Sequence, residues 1–245
     1  MGNVAKAKSA LVQLSLAILV AVTALFAQAT PALAADGSTY FTDVHEDDWF
    51  NADVGYAYER GILLGTDDDT FSPIEATSRG MVVTVLYRFE GKPSPSAKST
   101  FPDVDQDEFY ADAVAWGEEV GVVAGFDDGL FRPNDPVTRE QLAVFLQRYA
   151  EFKGYDAEEE ADLSDFSDED EVSAFAQAAV EWANANGLIR GLDDGRLAPR
   201  SNASRAEFAA ILNRFFKAFV PDSLTVTFDL GYGDDSVYAK TIVED

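Results

Sequence analysis

Apolar positions fall into three stripes of helical period. Val82, Val85, Leu86 and Phe89, then Leu142, Phe145, Leu146 and Tyr149, then Phe208, Ile211, Leu212 and Phe215 each follow i, i+3, i+4, i+7 spacing. That spacing puts each set on one face of an amphipathic helix. A hydroxyl and an arginine precede each stripe: Ser78-Arg79, Thr138-Arg139 and Ser204-Arg205. A hydroxyl at the N-cap accepts a hydrogen bond from an otherwise unpaired first-turn amide, so each pair marks a helix start. Gln141 and Glu207 complete a capping box in the second and third copies, whereas the first has Met81 there and Gly80 weakening its first turn.

The stripes belong to a longer internal repeat. Phe41-Thr42-Asp43-Val44, Phe101-Pro102-Asp103-Val104 and Phe166-Ser167-Asp168-Glu169 open three units, and Gly61, Gly121 and Gly187 recur at offsets of 60 and 66. The same offsets relate Gly65, Gly125 and Gly191, then Pro73, Pro133 and Pro199, then the three arginines. A shorter first helix is predicted in each unit, at about 52–60, 111–120 and 177–186. Val54, Val114 and Val180 with Tyr56, Trp116 and Trp182 form its inward face, and glycine stops it. Glycines bracketing the apolar run that follows require a tight turn or close approach of backbone.

A unit of this size buries too little apolar surface alone, so the three second helices are expected to pack as a central bundle, with first helices and loops as lobes. The fold class is mainly α, with repeats at 41–90, 101–152 and 166–219. The joints at 90–100 and 151–165, rich in serine, proline and acid, read as solvated linkers. Residues 222–245 alternate like a short β-hairpin and resemble the start of an internalin-type B-repeat.

Composition narrows the function. Among 245 residues, 18 basic against 44 acidic side chains give a net charge of -26, which leaves no basic surface for nucleic acid. With no cysteine, disulfides, thiolate metal sites and cysteine nucleophiles are excluded. Lys6 and Lys8, the apolar run from Leu11 to Phe26 and Ala32-Leu33-Ala34 form a secretory leader with cleavage expected after Ala34, and no membrane span is expected once it is gone. His45 is alone in an acidic loop and receives no role. Asp103, Asp105 and Asp107 begin like a calcium loop, but Glu108 and Val114 stand where glycine and glutamate are needed, so no metal or cofactor is expected. The many carboxylates lie in turns and linkers without the buried and exposed pairing that glycosidic catalysis uses, so no enzyme is expected.

Phe-x-Asp-Val, an aromatic a few residues on, Gly-x-x-x-Gly, an acidic turn with Phe-x-Pro, and Thr-Arg-x-Glu, present in three copies after a secretion signal, make residues 41 to 217 similar to the S-layer homology family. The resemblance implies a pseudo-threefold assembly around a three-helix bundle, anchored non-covalently to the cell wall. Its implied ligand is secondary cell-wall polysaccharide, often bearing pyruvate ketals, held in grooves between lobes. It places the chain at the cell surface, with self-association in a surface layer as a further implied partner and a structural S-layer or adhesive protein as the alternative function. The implied ligand-binding residues are Arg79, Arg139 and Arg205, Asp43, Asp103 and Asp168, Gly65, Gly125 and Gly191, and the aromatics Trp49 and Phe109, with Phe175 at the matching third position.

A guanidinium at a helix N-terminus suits a carboxylate, because it offers two parallel donors beside free amides and a positive dipole end. A surface ion pair is the competing role for the arginines, and hydrogen-bonded loop capping for the aspartates. Thr138 to Gln141 is the most complete copy; the third unit departs most, with Glu169 for valine and Ala176 where Phe50 and Tyr110 stand. The overall acidity does not forbid an anionic ligand, since remote acids are screened over ~8 Å at physiological salt. Affinity for such a ligand, followed by titration calorimetry, is expected to survive moderate salt; an affinity rising steadily with salt would show diffuse repulsion in control.

Overall fold

The computed structural model describes residues 36–220, 223–228 and 238–243, so the leader lies outside the described residues. Six helices carry the fold: α1 (Asn51–Glu59), α2 (Arg79–Phe89), α3 (Ala111–Glu119), α4 (Arg139–Lys153), α5 (Gln177–Ala185) and α6 (Arg205–Phe219). In the tail, β1 (Ser223–Phe228) and β2 (Tyr238–Val243) pair antiparallel, Ser223 opposite Val243. Single 3-10 turns occur at Gly37–Thr39 and Glu169–Glu171.

The predicted stops and stripes are present. Gly61, Gly121 and Gly187 follow the first helices at φ 62°, 80° and 65°, the left-handed conformation that lets a helix end without a Cβ clash. All three stripes are buried except Phe89, which is partly covered, and Trp116 and Trp182 are buried with them.

The helices, however, pair across repeats. α3 packs on α2, α5 on α4 and α1 on α6. Each first helix therefore lies against the second helix of the preceding repeat, and the first repeat closes the circle on the third. The second helices are tied at both ends. At their N-terminal ends Thr77 N donates to Ala203 O, Ala203 N to Val137 O and Val137 N to Thr77 O, at 2.9, 2.9 and 2.8 Å. At their C-terminal ends aromatic rings meet, with centroids at 4.4 Å for Phe89 and Phe216, 5.7 Å for Tyr149 and Phe215, and 6.3 Å for Phe89 and Tyr149.

A second cycle runs the opposite way. Arg79 N donates to Asp135 O, Arg139 N to Ser201 O and Arg205 N to Glu75 O, while the next amides, of Gly80, Glu140 and Ala206, donate to the carbonyls of Pro133, Pro199 and Pro73. The third amide of each helix donates to the cap hydroxyl of Ser78, Thr138 or Ser204. First-turn amides expected to be free for a ligand are thus all engaged, because the neighbouring repeat supplies the acceptors that helix ends require.

The joints are also more tightly held than their composition suggests. Ser96 N donates to Glu119, and Ser99 and Thr100 donate to Glu118, fastening the first joint to α3. In the second, Trp182 Nε1 donates to Asp156 O, Tyr155 stacks on Phe219 at 5.6 Å, and Leu163 is buried. The hydroxyls of Ser99 and Thr100, read as solvated, are themselves fastenings, held by Glu118 of α3.

Gly80 has a packing reason. A Cβ there would lie 3.0 Å from Pro133 O and from the Tyr110 ring. In the next interface the arrangement is inverted: Ala176 replaces the aromatic, and Glu140 is buried with both oxygens accepting from Ser173, one from its amide and one from its hydroxyl, at 2.9 Å. Helix propensity alone would make Gly80→Ala stabilising by about 1 kcal/mol. The crowded interface reverses the sign, and denaturant unfolding should show a loss of about 1 kcal/mol.

Candidate ligand-binding grooves

Asp43, Asp103 and Asp168 act as loop fasteners. Each carboxylate accepts two consecutive backbone amides: Phe71 and Ser72 at 2.8 and 2.7 Å, Phe131 and Arg132 at 3.0 and 2.6 Å, Leu197 and Ala198 at 2.7 and 2.8 Å. The second amide in each pair belongs to a non-glycine residue with positive φ: Ser72 at 59°, Arg132 at 60° and Ala198 at 51°. That conformation is unfavourable for a residue with a Cβ, and two charge-assisted hydrogen bonds hold it in place. Of the two roles left open by spacing, loop capping is the one the bonding shows.

Gly65, Gly125 and Gly191 are required by close approach. A Cβ would fall 2.7, 2.4 and 2.4 Å from the Cε1 atoms of Phe41, Phe101 and Phe166, the aromatics that open each repeat. The loop carbonyls next to them, Leu64 O, Ala124 O and Arg190 O, in turn receive the arginines of the preceding repeat.

Those arginines are buried, with 5% exposure for Arg79 and Arg139 and 2% for Arg205. Arg79 donates through Nε to Phe131 O at 2.9 Å, Nη2 to Ala124 O at 3.3 Å and Nη1 to Gln141 Oε1 at 3.4 Å. Arg139 reaches Leu197 O, Arg190 O and Glu207 Oε1 at 2.9, 2.8 and 2.8 Å. Arg205 donates to Phe71 O and Leu64 O, both at 2.7 Å, closing the third repeat on the first. The Arg79 guanidinium also lies over the rings of Phe126, Phe131 and Phe145, at 4.7, 4.7 and 5.2 Å. Burial pushes it down to about 10, so it remains cationic at neutral pH; burial lowers Arg205 as well. Of the three, Arg139 alone forms an ion pair among the described residues, with Glu207, and that pair is part-buried and lies between repeats.

Two of these arginines sit at the floor of grooves built from all three repeats. One groove, of about 320 Å³, takes Arg79 from repeat 1, Gly125, Phe126, Asp127, Gln141 and Arg148 from repeat 2, and Phe175 from repeat 3. The other, of about 480 Å³, takes Arg139 from repeat 2, Gly191, Asp193, Glu207 and Arg214 from repeat 3, and Trp49 from repeat 1. Phe175 and Trp49 are 64% and 62% exposed, large rings left in solvent at the groove walls. Phe109, equally exposed, stands edge-on to Tyr110 at a centroid distance of 5.1 Å. Gly65 lines a separate open cavity with Asp67, Asp68 and Asp69. Arginine, loop glycine and aromatic of one groove therefore come from three different repeats, and Asp43, Asp103 and Asp168 line neither groove.

Sequence reasoning missed a second arginine in each groove. Arg148 and Arg214, with Arg88 at the matching place in repeat 1, keep the offsets of 60 and 66. On α4, Gln141, Val144, Phe145 and Arg148 form an i, i+3, i+4, i+7 face toward the groove. That register was visible, but a charged residue late in a helix also fits a solvated face. Arg214 donates to Leu188 O at 3.0 Å, and burial lowers its guanidinium, as it does that of Arg88.

Removing the Arg139 side chain would strand Glu207 and two loop carbonyls. Arg139→Ala should therefore lower unfolding free energy by about 3 kcal/mol, measured by denaturant titration. A variant as stable as wild type would remove the arginine from the structural role.

Three segments, 40–80, 100–143 and 165–209, match the model of the S-layer homology domain. The chain is 31% identical over 198 residues to the surface-layer 125 kDa protein of Lysinibacillus sphaericus, covering 77% of this chain and 16% of that protein. It is 29% identical over 173 residues to an endoglucanase of Bacillus sp. (strain KSM-635), covering 71% and 18%. With the cellulosome-anchoring protein of Acetivibrio thermocellus it shares 27% identity over 156 residues, covering 62% and 34%. The chain thus spans about a third or less of the length of these relatives. The matched segments contain the arginines, the fastening aspartates and the loop glycines whose bonds close the three-repeat cycle, and the chain belongs to the S-layer homology domain family.

Proposed function

We propose that the three repeats anchor a surface protein non-covalently to the cell wall by holding secondary cell-wall polysaccharide in the grooves between repeats. S-layer homology domains are typical of the cell-wall-anchoring modules of surface proteins and S-layers. The observation that carries the reading here is the composition of each groove: guanidinium groups at the floor, loop backbone along one side and an exposed aromatic ring at the rim. A saccharide offers matching chemistry, with hydroxyls for the backbone, an apolar ring face for Phe175 or Trp49 and any acidic substituent for the arginines. Among the described residues no helix is long and apolar enough to cross a membrane.

Sedimentation with purified cell walls tests the proposal. The chain should be retained on intact walls and released from walls stripped of secondary polymer, and Phe175→Ala should weaken retention about three- to tenfold. Equal retention on stripped walls would overturn the polysaccharide assignment.

A further inference from the structure

Three similar helix pairs pose a problem of choice. Each first helix has three second helices to lie against within its own chain, and a second copy of the chain offers three more. We infer that side chains buried between repeats act as addresses: each interface admits its own first helix and penalises those of the other repeats, whether they come from the same chain or from another copy.

The interface that closes the ring, α1 on α6, shows this most plainly. Asn213 of α6 is buried, and its Nδ2 donates to Asp53 of α1. Its Oδ1 is buried without a partner among the described residues. A buried amide satisfied on one side only costs stability relative to an apolar side chain of the same size, so packing alone does not account for it. Choice of partner does. At the repeat offsets, Ala113 and Ala179 stand in place of Asp53 on α3 and α5, so either helix seated on α6 would leave Asn213 without its acceptor. A single buried asparagine fixes the pairing of coiled-coil helices by the same means. At the matching places of α2 and α4, Tyr87 meets the Trp116 ring at 5.8 Å and Gln147 Nε2 donates to Ala157 O at 3.5 Å, so neither calls for an acid.

The contact of α5 with α4 carries a second address. Glu140 is buried, and both of its oxygens accept from Ser173. At the same offsets from Ser173 stand Asp107 and Asp47, followed by Glu108 and Asp48. Repeat 1 or 2 seated on α4 would set these acids against a buried carboxylate, with no donor between them. Size keeps α3 for α2. The Tyr110 ring leaves 3.0 Å to a Cβ at Gly80, whereas Glu140 and Ala206 carry that Cβ at the matching places of α4 and α6. Conversely α5, with Ala176 in place of the ring, would leave a void against Gly80. The three devices are an amide, a carboxylate and a missing Cβ, and a first helix suited to one is penalised at another.

Refolding of the full chain from urea tests the inference, because an address and a stability contact respond differently. Asp53→Ala/Asn213→Leu exchanges the polar pair for apolar groups, and its urea midpoint should be no lower than that of wild type. Refolded at high protein concentration, it should nevertheless form dimers about tenfold or more in excess of wild type, read by size exclusion with light scattering. Dimers made by exchange of repeats should persist on dilution and return to monomer after unfolding and refolding at low concentration. Val82→Ala, which removes packing from a stripe without touching an address, should lower the midpoint and add no dimer. Ser173→Asp should lower the midpoint, and Glu140→Ala in the same chain should recover most of that loss. Monomeric refolding of Asp53→Ala/Asn213→Leu at every concentration, dimers no more abundant than in Val82→Ala, or a Ser173→Asp midpoint equal to that of wild type would each overturn the inference.

Discussion

Everything in this fold depends on helix starts that cannot be completed within their own repeat. A helix leaves its first amides without partners, and water or side chains usually supply them. Here carbonyls of the next repeat accept from Arg79, Arg139 and Arg205 and from the amides that follow, and the arginine side chains reach further into the same neighbour. Since the third repeat donates to the first, the dependence closes on itself. Loop shape, fixed by two amides on each repeat aspartate, presents the carbonyls that the arginines need. Loop and helix start are thus two halves of one joint, made three times.

The grooves are a by-product of that joint. Where a buried arginine crosses to the neighbouring loop, a concave surface remains above it, walled by the neighbour's second helix and by an aromatic from the third repeat. Arg79 and Arg139 each commit three of their five guanidinium N–H donors to the scaffold. The groove residues that the joint does not consume are Arg148 and the exposed rings of Phe175 and Trp49. Pseudosymmetry lets these vary from groove to groove while the joint stays the same.

Much of this was legible in the sequence, and the rest was not for definable reasons. Stripes, caps and glycine stops are local signals, and each appears where periodicity placed it. Choice of partner is not local. Three near-identical apolar faces show that helices must pack but not that α3 chooses α2. Asp103 could cap a loop or hold a sugar on spacing alone, and the amides of Phe131 and Arg132 decide it. Gly80 looked like a defect because helix propensity was considered without Tyr110 across the interface. Conversely, the loss of an aromatic at Ala176 looked like damage, yet Glu140 and Ser173 bond across the matching interface.

The central claim is that the three repeats are one cooperative cycle and not three modules on a string. Native-state hydrogen exchange at the amides of Arg79, Arg139 and Arg205 tests it most directly, because each of these amides bonds only across an interface. The account predicts that all three exchange with the free energy of global unfolding and respond in common to added denaturant. Exchange of one arginine amide through a smaller, local opening, with the other two still protected, would contradict it.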